Sequence, residues 1–371
     1  MAGPVFKTAL SRLARDGRFD SFPSPPRSRR GADRPGSLST AREPWHRPGM
    51  KAAVYYENGG PEVFKYEEVP DPPLLPRGVR IDVKAIAVEG GDVLNRAGGA
   101  FASRPHVVGY NCAGIVRDVG SEVTDRKPGD RVTALMPNGS HAAIVSVPAS
   151  ATWLVPDGCA IEHAACVPVS WGTAHDCLFE FGRLQAGETV LVQAGTSGVG
   201  IACVQLAKRA GARVLATSSS DEKLERLKAY GMDVGINYRT TSFVEAVRAA
   251  TNGAGAALVV DSVGGRTLEG SIQSVAYRGR VITVGNVSRE GKRIDIGPLS
   301  GNNASITGVF FGLETVRSAA RVTPMLNGLL RDIAAGELRV VVDRTFPLSQ
   351  AADAHAYIES RAALGRVVLV P

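Results

Sequence analysis

Thr189-Val-Leu-Val-Gln193 leads into Ala194-Gly195-Thr196-Ser197-Gly198-Val199-Gly200, and the residues beyond it take up helical spacing. Val199, Ala202, Cys203, Leu206, Ala207 and Ala210 fall at i, i+3, i+4, i+7, i+8 and i+11, one apolar stripe along a helix. Gln205, Lys208 and Arg209 fall on the opposite side, toward solvent. Gly211 ends the helix, and Arg213–Thr217 reads as the next strand. A strand, a glycine turn, a helix and a second strand in that order predict a doubly wound parallel sheet. The turn presents backbone N–H groups and a helix N-terminus, which together accept a pyrophosphate. Gly195, Thr196, Ser197, Gly198, Val199 and Gly200 are therefore the first cofactor-binding candidates, with Ser197 standing in the second glycine slot.

The end of the second strand selects between dinucleotides, because NAD-binding sites usually place an acid there against the ribose hydroxyls. Here it reads Ala216-Thr217-Ser218-Ser219-Ser220 and carries no acid. Ser219 and Glu222 have the spacing of a helix capping box, so Asp221 and Glu222 read as first-turn residues. With Ser218, Ser219 and Lys223 at this edge, a 2′-phosphate is accepted and NADPH is the expected cofactor. The competing reading of Lys223 is a solvated helix lysine.

Outward from this unit, strands are expected at Ala257–Asp261 and Arg280–Val284, so β and α segments alternate after about Trp171. Before it, Lys51–Tyr56, Val79–Ala87, Gly114–Val119, Arg131–Leu135 and Ala143–Val147 read as strands with few helical patterns between them, an all-β half. The 371 residues suit two domains of ordinary size, and no apolar run approaches the roughly 18–20 residues of a membrane helix. The formal charge of +7 is concentrated in residues 1–49, which hold ten Lys/Arg and four acids; residues 50–371 hold 33 against 32. A nearly neutral body argues against a nucleic-acid or membrane partner. Residues 1–49 also carry seven prolines and six serines and are expected to be a disordered tail. A targeting segment and an extension upstream of a start at Met50 are the alternatives. Five cysteines without a C-x-x-C suggest no disulfide framework and fit a reducing compartment, the cytoplasm. His106, His141, His163 and His175 form no i, i+4 pair with another ligand and read as isolated surface or core histidines.

Several further segments sharpen this. Gly114-Ile-Val-Arg-Asp-Val-Gly120-Ser-Glu-Val123 is followed by Pro128-Gly129-Asp130-Arg131-Val132, and the second half adds Asp261-Ser-Val-Gly-Gly265 and the ending Gly365-Arg366-Val367-Val368. Together with the glycine turn, these resemble the zinc-independent quinone oxidoreductases of the medium-chain dehydrogenase/reductase superfamily, across essentially residues 50–371. The resemblance implies a GroES-like β domain (50–171 with 313–371) split by an inserted Rossmann domain (172–312), with the active site in the cleft between them. It implies that Lys223 and Tyr238 flank the 2′-phosphate and that Thr173, Val284, Gly285, Phe310 and Phe311 lie along the nicotinamide half. Arg366 of the closing motif joins the cofactor set. It also implies a homodimer formed by joining Rossmann sheets edge to edge, with Ser305–Phe311 as the edge strand.

Zinc-dependent relatives carry a Cys, a Gly-His-Glu and a four-cysteine lobe. The matching places here read Ala85-Ile-Ala-Val-Glu-Gly-Gly-Asp92 and Val108-Gly109-Tyr110-Asn111, with no lobe, so the usual zinc ligands are missing and no metal is expected. Without a Lewis acid an alcohol is difficult to oxidise, whereas a quinone or enone takes hydride at an electron-poor carbon. The expected chemistry is hydride transfer from NADPH to a quinone or α,β-unsaturated carbonyl. Quinone reductases often show Asn-x-x-Asp-x-Tyr with a following Arg; here Asp92 and Arg96 are kept, while Glu89 and Leu94 replace the Asn and the Tyr. Tyr110, Asp92 and Arg96 are the catalytic candidates. Tyr110 is read as a hydrogen-bond donor to an enolate, against a merely packed aromatic; Asp92 and Arg96 are read as an ion pair closing the cleft. Two other functions stay open: a trans-enoyl thioester reductase, and a non-catalytic NADPH-binding structural or RNA-associated protein.

Overall fold

Alternation of apolar and polar residues builds the first half. The computed structural model describes residues 49–288, 290 and 294–371. The tail, up to residue 48, lies outside the described residues. In chain order the first half runs β1 (Met50–Tyr55), β2 (Lys65–Val69), β3 (Gly78–Val88), α1 (Gly90–Gly98), β4 (His106–Val107), β5 (Asn111–Val119), β6 (Arg131–Leu135), β7 (Ile144–Pro148) and β8 (Thr152–Leu154). Val79, Ile81 and Val83 of β3 point inward while Arg80, Asp82 and Lys84 point out; from Ala85 to Val88 the strand is buried on both faces. The change marks where β3 passes beneath the second half. Helix α1 is a departure from the all-β expectation, because Gly90-Gly91-Asp92 reads as a turn by composition but is wound into a first helical turn capped by Asp92.

A helical stretch joins the halves. It contains α2 (Ile161–Ala165) and α3 (Gly172–His175), with π-helical turns at Val167–Trp171 and Asp176–Glu180. The second half follows as β9 (Thr189–Val192), α4 (Gly198–Arg209), β10 (Arg213–Ser218), α5 (Asp221–Lys228), β11 (Val234–Asn237), α6 (Phe243–Ala250), β12 (Ala256–Asp261), α7 (Gly265–Gln273), β13 (Val275–Thr283), α8 (Gly297–Gly301) and β14 (Ser305–Gly308). Its six strands pair in parallel in the order β11-β10-β9-β12-β13-β14. The order reverses between β9 and β12, and ligands of open parallel sheets bind in the crevice beyond the carboxyl ends at such a point. The chain closes with α9 (Phe311–Arg317), α10 (Ala319–Ala334), β15 (Val342–Pro347), α11 (Ala351–Glu359) and β16 (Arg366–Val370). β16 pairs antiparallel with β3, so the last strand completes the sheet begun in the first half.

One apolar cluster spans both halves. Ala85, Ala87 and Trp153 pack in it with Trp171 and Leu178 of the joining stretch, with Val190 and Leu206 of the parallel sheet, and with Leu326 and Leu330 of α10. This packing corrects the reading of α4. Gln205, placed toward solvent by periodicity, is buried: its amide donates to Arg339 O at 2.9 Å and accepts from Arg339 N at 2.8 Å. The chain leading into β15 covers that face of the helix and satisfies the amide. Among the described residues no helix is long and apolar enough to cross a membrane, and all five cysteines are free and buried.

Candidate active site at the reversal of the parallel sheet

The glycine loop is held from below by a buried hydrogen-bond chain. Asp261, at the end of β12, accepts from the amides of Val263 and Gly264 and from Ser271 Oγ, at 2.8, 2.8 and 2.7 Å. Gln193 Nε2 donates to Ser271 Oγ at 3.1 Å, Thr217 Oγ1 donates to Gln193 Oε1 at 2.7 Å, and Ala194 N donates to Thr217 Oγ1 at 3.1 Å. The ends of β9, β10 and β12 are thereby locked together, which gives Asp261 of the Asp-Ser-Val-Gly-Gly segment a physical role.

Above this chain, Ser197 caps α4 by accepting from Gly200 N at 3.0 Å; the parallel bridge to Gly365 turns the Gly198 amide toward Gly365 O, and the Val199 amide is left without an acceptor among the described residues. Gly198 and Gly200 have no room for side chains. A Cβ at Gly200 would lie 2.3 Å from Ala194 O, and one at Gly198 would lie 2.3 Å from Arg366 Cδ. A pyrophosphate fits such a surface, since it asks for close backbone approach and free amides at a helix N-terminus.

At the β10 and β11 ends, Ser218 Oγ lies 3.4 Å from Thr196 Oγ1, and Tyr238 N donates to Ser218 O at 3.1 Å. The α5 cap is Ser220, whose Oγ accepts from Lys223 N, and not Ser219; the capping-box spacing is therefore off by one residue. Lys223 Nζ is anchored on the carbonyls of Arg361 and Ala363, at 2.7 and 3.0 Å. Desolvation there pulls its ammonium below the ordinary lysine range. The sequence reading missed Arg361, which itself takes φ of 59°, sets its carbonyl on Lys223 Nζ and leaves its side chain exposed. Its only local signal is the turn after α11.

Along the other half of the crevice, Val284 N donates to Asp261 O at 2.8 Å and Gly285 follows with φ of 75°. Thr173 lies on α3. The ring of Phe311 is turned into the core against Gly172, where a Cβ would meet it at 2.3 Å, so Phe311 supports this wall by packing and does not line it; Phe310 is half exposed.

In the first half, Tyr110 packs against Gly91, and its hydroxyl donates to Gly91 O at 3.4 Å. Burial pushes its phenol pKa upward and the nearby Asp92 adds to that, so it stays a neutral donor. Asp92 is fully buried; desolvation raises its carboxyl well above the usual range, and its Oδ2 accepts from Glu89 N at 2.8 Å. The expected Asp92–Arg96 ion pair is not formed. Arg96 instead donates to Glu359 Oε1 at 2.9 Å and to Gly59 O at 3.2 Å. Asp92 is committed to the first turn of α1, whereas Arg96, one turn on, meets the carboxylate that α11 offers. Arg96 is thus a strut between helices, not a residue of the crevice.

Arg366 also differs from its expected role. Its guanidinium is buried and donates to Val88 O at 3.0 Å and to the Glu89 carboxylate. It lies behind the glycine loop. Among the described residues no group of three or more His, Cys, Asp or Glu side chains is arranged to hold a metal.

Two family models match the chain. The alcohol dehydrogenase GroES-like domain matches residues 76–166, and the zinc-binding dehydrogenase model matches residues 198–324. The 2-haloacrylate reductase of Burkholderia sp. is 33% identical over 330 residues, covering 87% of this chain and 99% of that protein. The chain belongs to the medium-chain dehydrogenase/reductase superfamily, in its quinone oxidoreductase-like branch. Among solved medium-chain reductases, the Pseudomonas syringae quinone oxidoreductase superposes with a TM-score of 0.82 at 30% identity, over 87% of this chain and all of that one. The Escherichia coli quinone oxidoreductase complexed with NADPH gives 0.81 at 28%, over 86% and 100%. The phthioceranic/hydroxyphthioceranic acid synthases of Mycobacterium tuberculosis are 32% identical over 300 residues, and the chain spans 14% of their length. As a member of this branch the protein is an oxidoreductase.

Proposed function

We propose that this chain reduces a carbon–carbon double bond conjugated to a carbonyl, as in a quinone or an enone, with NADPH as the hydride donor and without zinc. The observation that carries the reading is Tyr110, a part-buried neutral phenol that occupies the place in the sequence where metal-dependent relatives have a zinc ligand. The cofactor supplies the hydride. As the hydride reaches the electron-poor carbon, negative charge develops on the carbonyl oxygen, where the Tyr110 O–H donates a hydrogen bond. Solvent delivers the proton that completes the reduction. Val199 offers its amide to the pyrophosphate, and Lys223, Arg361 and Tyr238 form the seat for the 2′-phosphate. We include in the proposal a homodimer through β14, an edge strand with exposed Ile306.

Turnover of 1,2-naphthoquinone and an enone panel with NADPH, and much slower turnover with NADH, is the expected result. Turnover confined to enoyl thioesters would favour the second reading, supported by the likeness to the synthases. Tight NADPH binding without turnover of any acceptor would overturn both.

Two substitutions separate the roles. Tyr110→Phe is expected to lower kcat about a hundredfold, the scale of one lost oxyanion donor, with the KM for NADPH unchanged; unaltered turnover on every acceptor would reduce Tyr110 to a packed aromatic. Lys223→Ala is expected to raise the KM for NADPH about tenfold, the low end for a charge-assisted hydrogen bond at a part-exposed site. The KM for NADH should stay as it is, and an equal rise for both cofactors would remove Lys223 from the 2′-phosphate seat.

A further inference from the structure

The Glu89–Arg366 pair joins two elements that sequence separates by 277 positions. On one side Arg366 lies against the first turn of α4, in contact range of Gly198, while the preceding Gly365 N donates to Thr196 O at 2.9 Å and pairs with Ser197 in a parallel bridge. On the other side its guanidinium holds Glu89, the residue that opens α1 and whose carbonyl accepts from the amides of Asp92 and Val93. Both side chains are buried, at 8% and 6% exposure, so the attraction between them is little screened. Arg366 Nε has no partner among the described residues.

Helix α1 is poorly equipped to stand alone. It has nine residues, of which Gly90, Gly91 and Gly98 are glycine, and a helix of that length and composition is not stable by propensity. Its two ends are held by ion pairs, Glu89–Arg366 at the start and Arg96–Glu359 near the finish. Between them lie Asp92 and the Gly91 surface on which Tyr110 rests. A short helix that depends on its end anchors is an element with two accessible states, ordered and frayed.

We propose that the Glu89–Arg366 pair couples the glycine loop to α1, so that a pyrophosphate bound at Gly198 orders the helix that supports Tyr110. An anion at the α4 N-terminus attracts the guanidinium behind Gly198, and the guanidinium carries Glu89 with it. Glu89 and Arg366 are positioning residues in this scheme, since neither touches the acceptor. The proposal rests on the dinucleotide reading of the preceding subsection.

Hydrogen exchange of the full chain, with and without NADPH, tests it. NADPH is expected to slow exchange in both α4 and α1, in α1 by roughly fivefold or more, the low end of known site-to-site couplings. In Glu89→Gln the protection of α4 persists and that of α1 is lost. Should Glu89→Gln not fold, Arg366→Lys serves instead, keeping the charge but lacking the fork that spans Val88 O and Glu89; it is expected to keep the α4 effect and lose most of the α1 effect. Protection of α4 without α1 in the unmodified protein, or α1 protection unchanged in the variant, would overturn the coupling while leaving the cofactor reading intact. Protection of neither helix would overturn the cofactor reading and the coupling with it.

Discussion

Gly200→Ala weakens NADPH binding by roughly a hundredfold, the upper end of the cost of forcing one extra carbon into a filled site. The new Cβ would lie 2.3 Å from Ala194 O and 2.7 Å from both Gly195 C and Gly195 Cα. All three are backbone atoms, so no side chain can swing aside. The loop has to move, and its amides are those proposed to take the pyrophosphate. The loop is also tied from behind, through Gly195 N on Thr217 O at 2.9 Å, so the movement breaks hydrogen bonds as well. Quenching or enhancement of NADPH fluorescence on titration gives the Kd. A Kd equal to that of the unmodified protein would mean that the dinucleotide sits elsewhere.

Arg321→Met destabilises the fold by about 3 kcal/mol, because it strands a buried carboxylate. Asp176 is fully buried in the stretch that joins the halves, and Arg321 of α10 grips it with a fork of 2.6 and 2.9 Å while also reaching Glu314 at 3.0 Å. A fall in the thermal midpoint of about 4 °C is expected for a chain of this size. The effect depends on pH. Burial alone would raise the Asp176 carboxyl, but His175 and the Arg321 fork outweigh it and hold it below the ordinary aspartate range. The pair therefore contributes its full stability above the unfolded-state pKa of about 3.9 and loses it as pH falls through the lower folded value. Melting curves of the two proteins should differ most near neutrality and converge below about pH 4. A gap that stays constant on acidification would assign the loss to packing of the Arg321 stem.

The glycine turn, the strands around it and the doubly wound sheet were legible because their signals are local. Period-3.6 and period-2 patterns, glycines and capping serines act within one or two turns of chain. What the sequence hid is long-range. Gln205 looks like a surface residue until the segment around Arg339 covers it. Arg96 has the right spacing to meet Asp92, yet finds Glu359 263 positions away. Glu89 is visible as a substitution for the family's Asn, but its meaning lies in Arg366. Helix α1 escaped notice because its glycines suppress the propensity on which such a reading depends, while tertiary anchors supply what propensity does not.

The apolar cluster shared by the two halves bears on how the chain can be divided. Residues 172–312 are contiguous and contain every strand of the parallel sheet. Taken alone, they would present Leu206 and Val190 without the Trp153, Leu326 and Leu330 that cover the same cluster. The Gln205 amide would also lose both of its bonds to Arg339. The two halves therefore make a poor pair of exchangeable modules. Grafting this nucleotide-binding half onto another substrate domain means transplanting α10 and the segment around Arg339 with it, because the lid of its core is encoded beyond its own last strand.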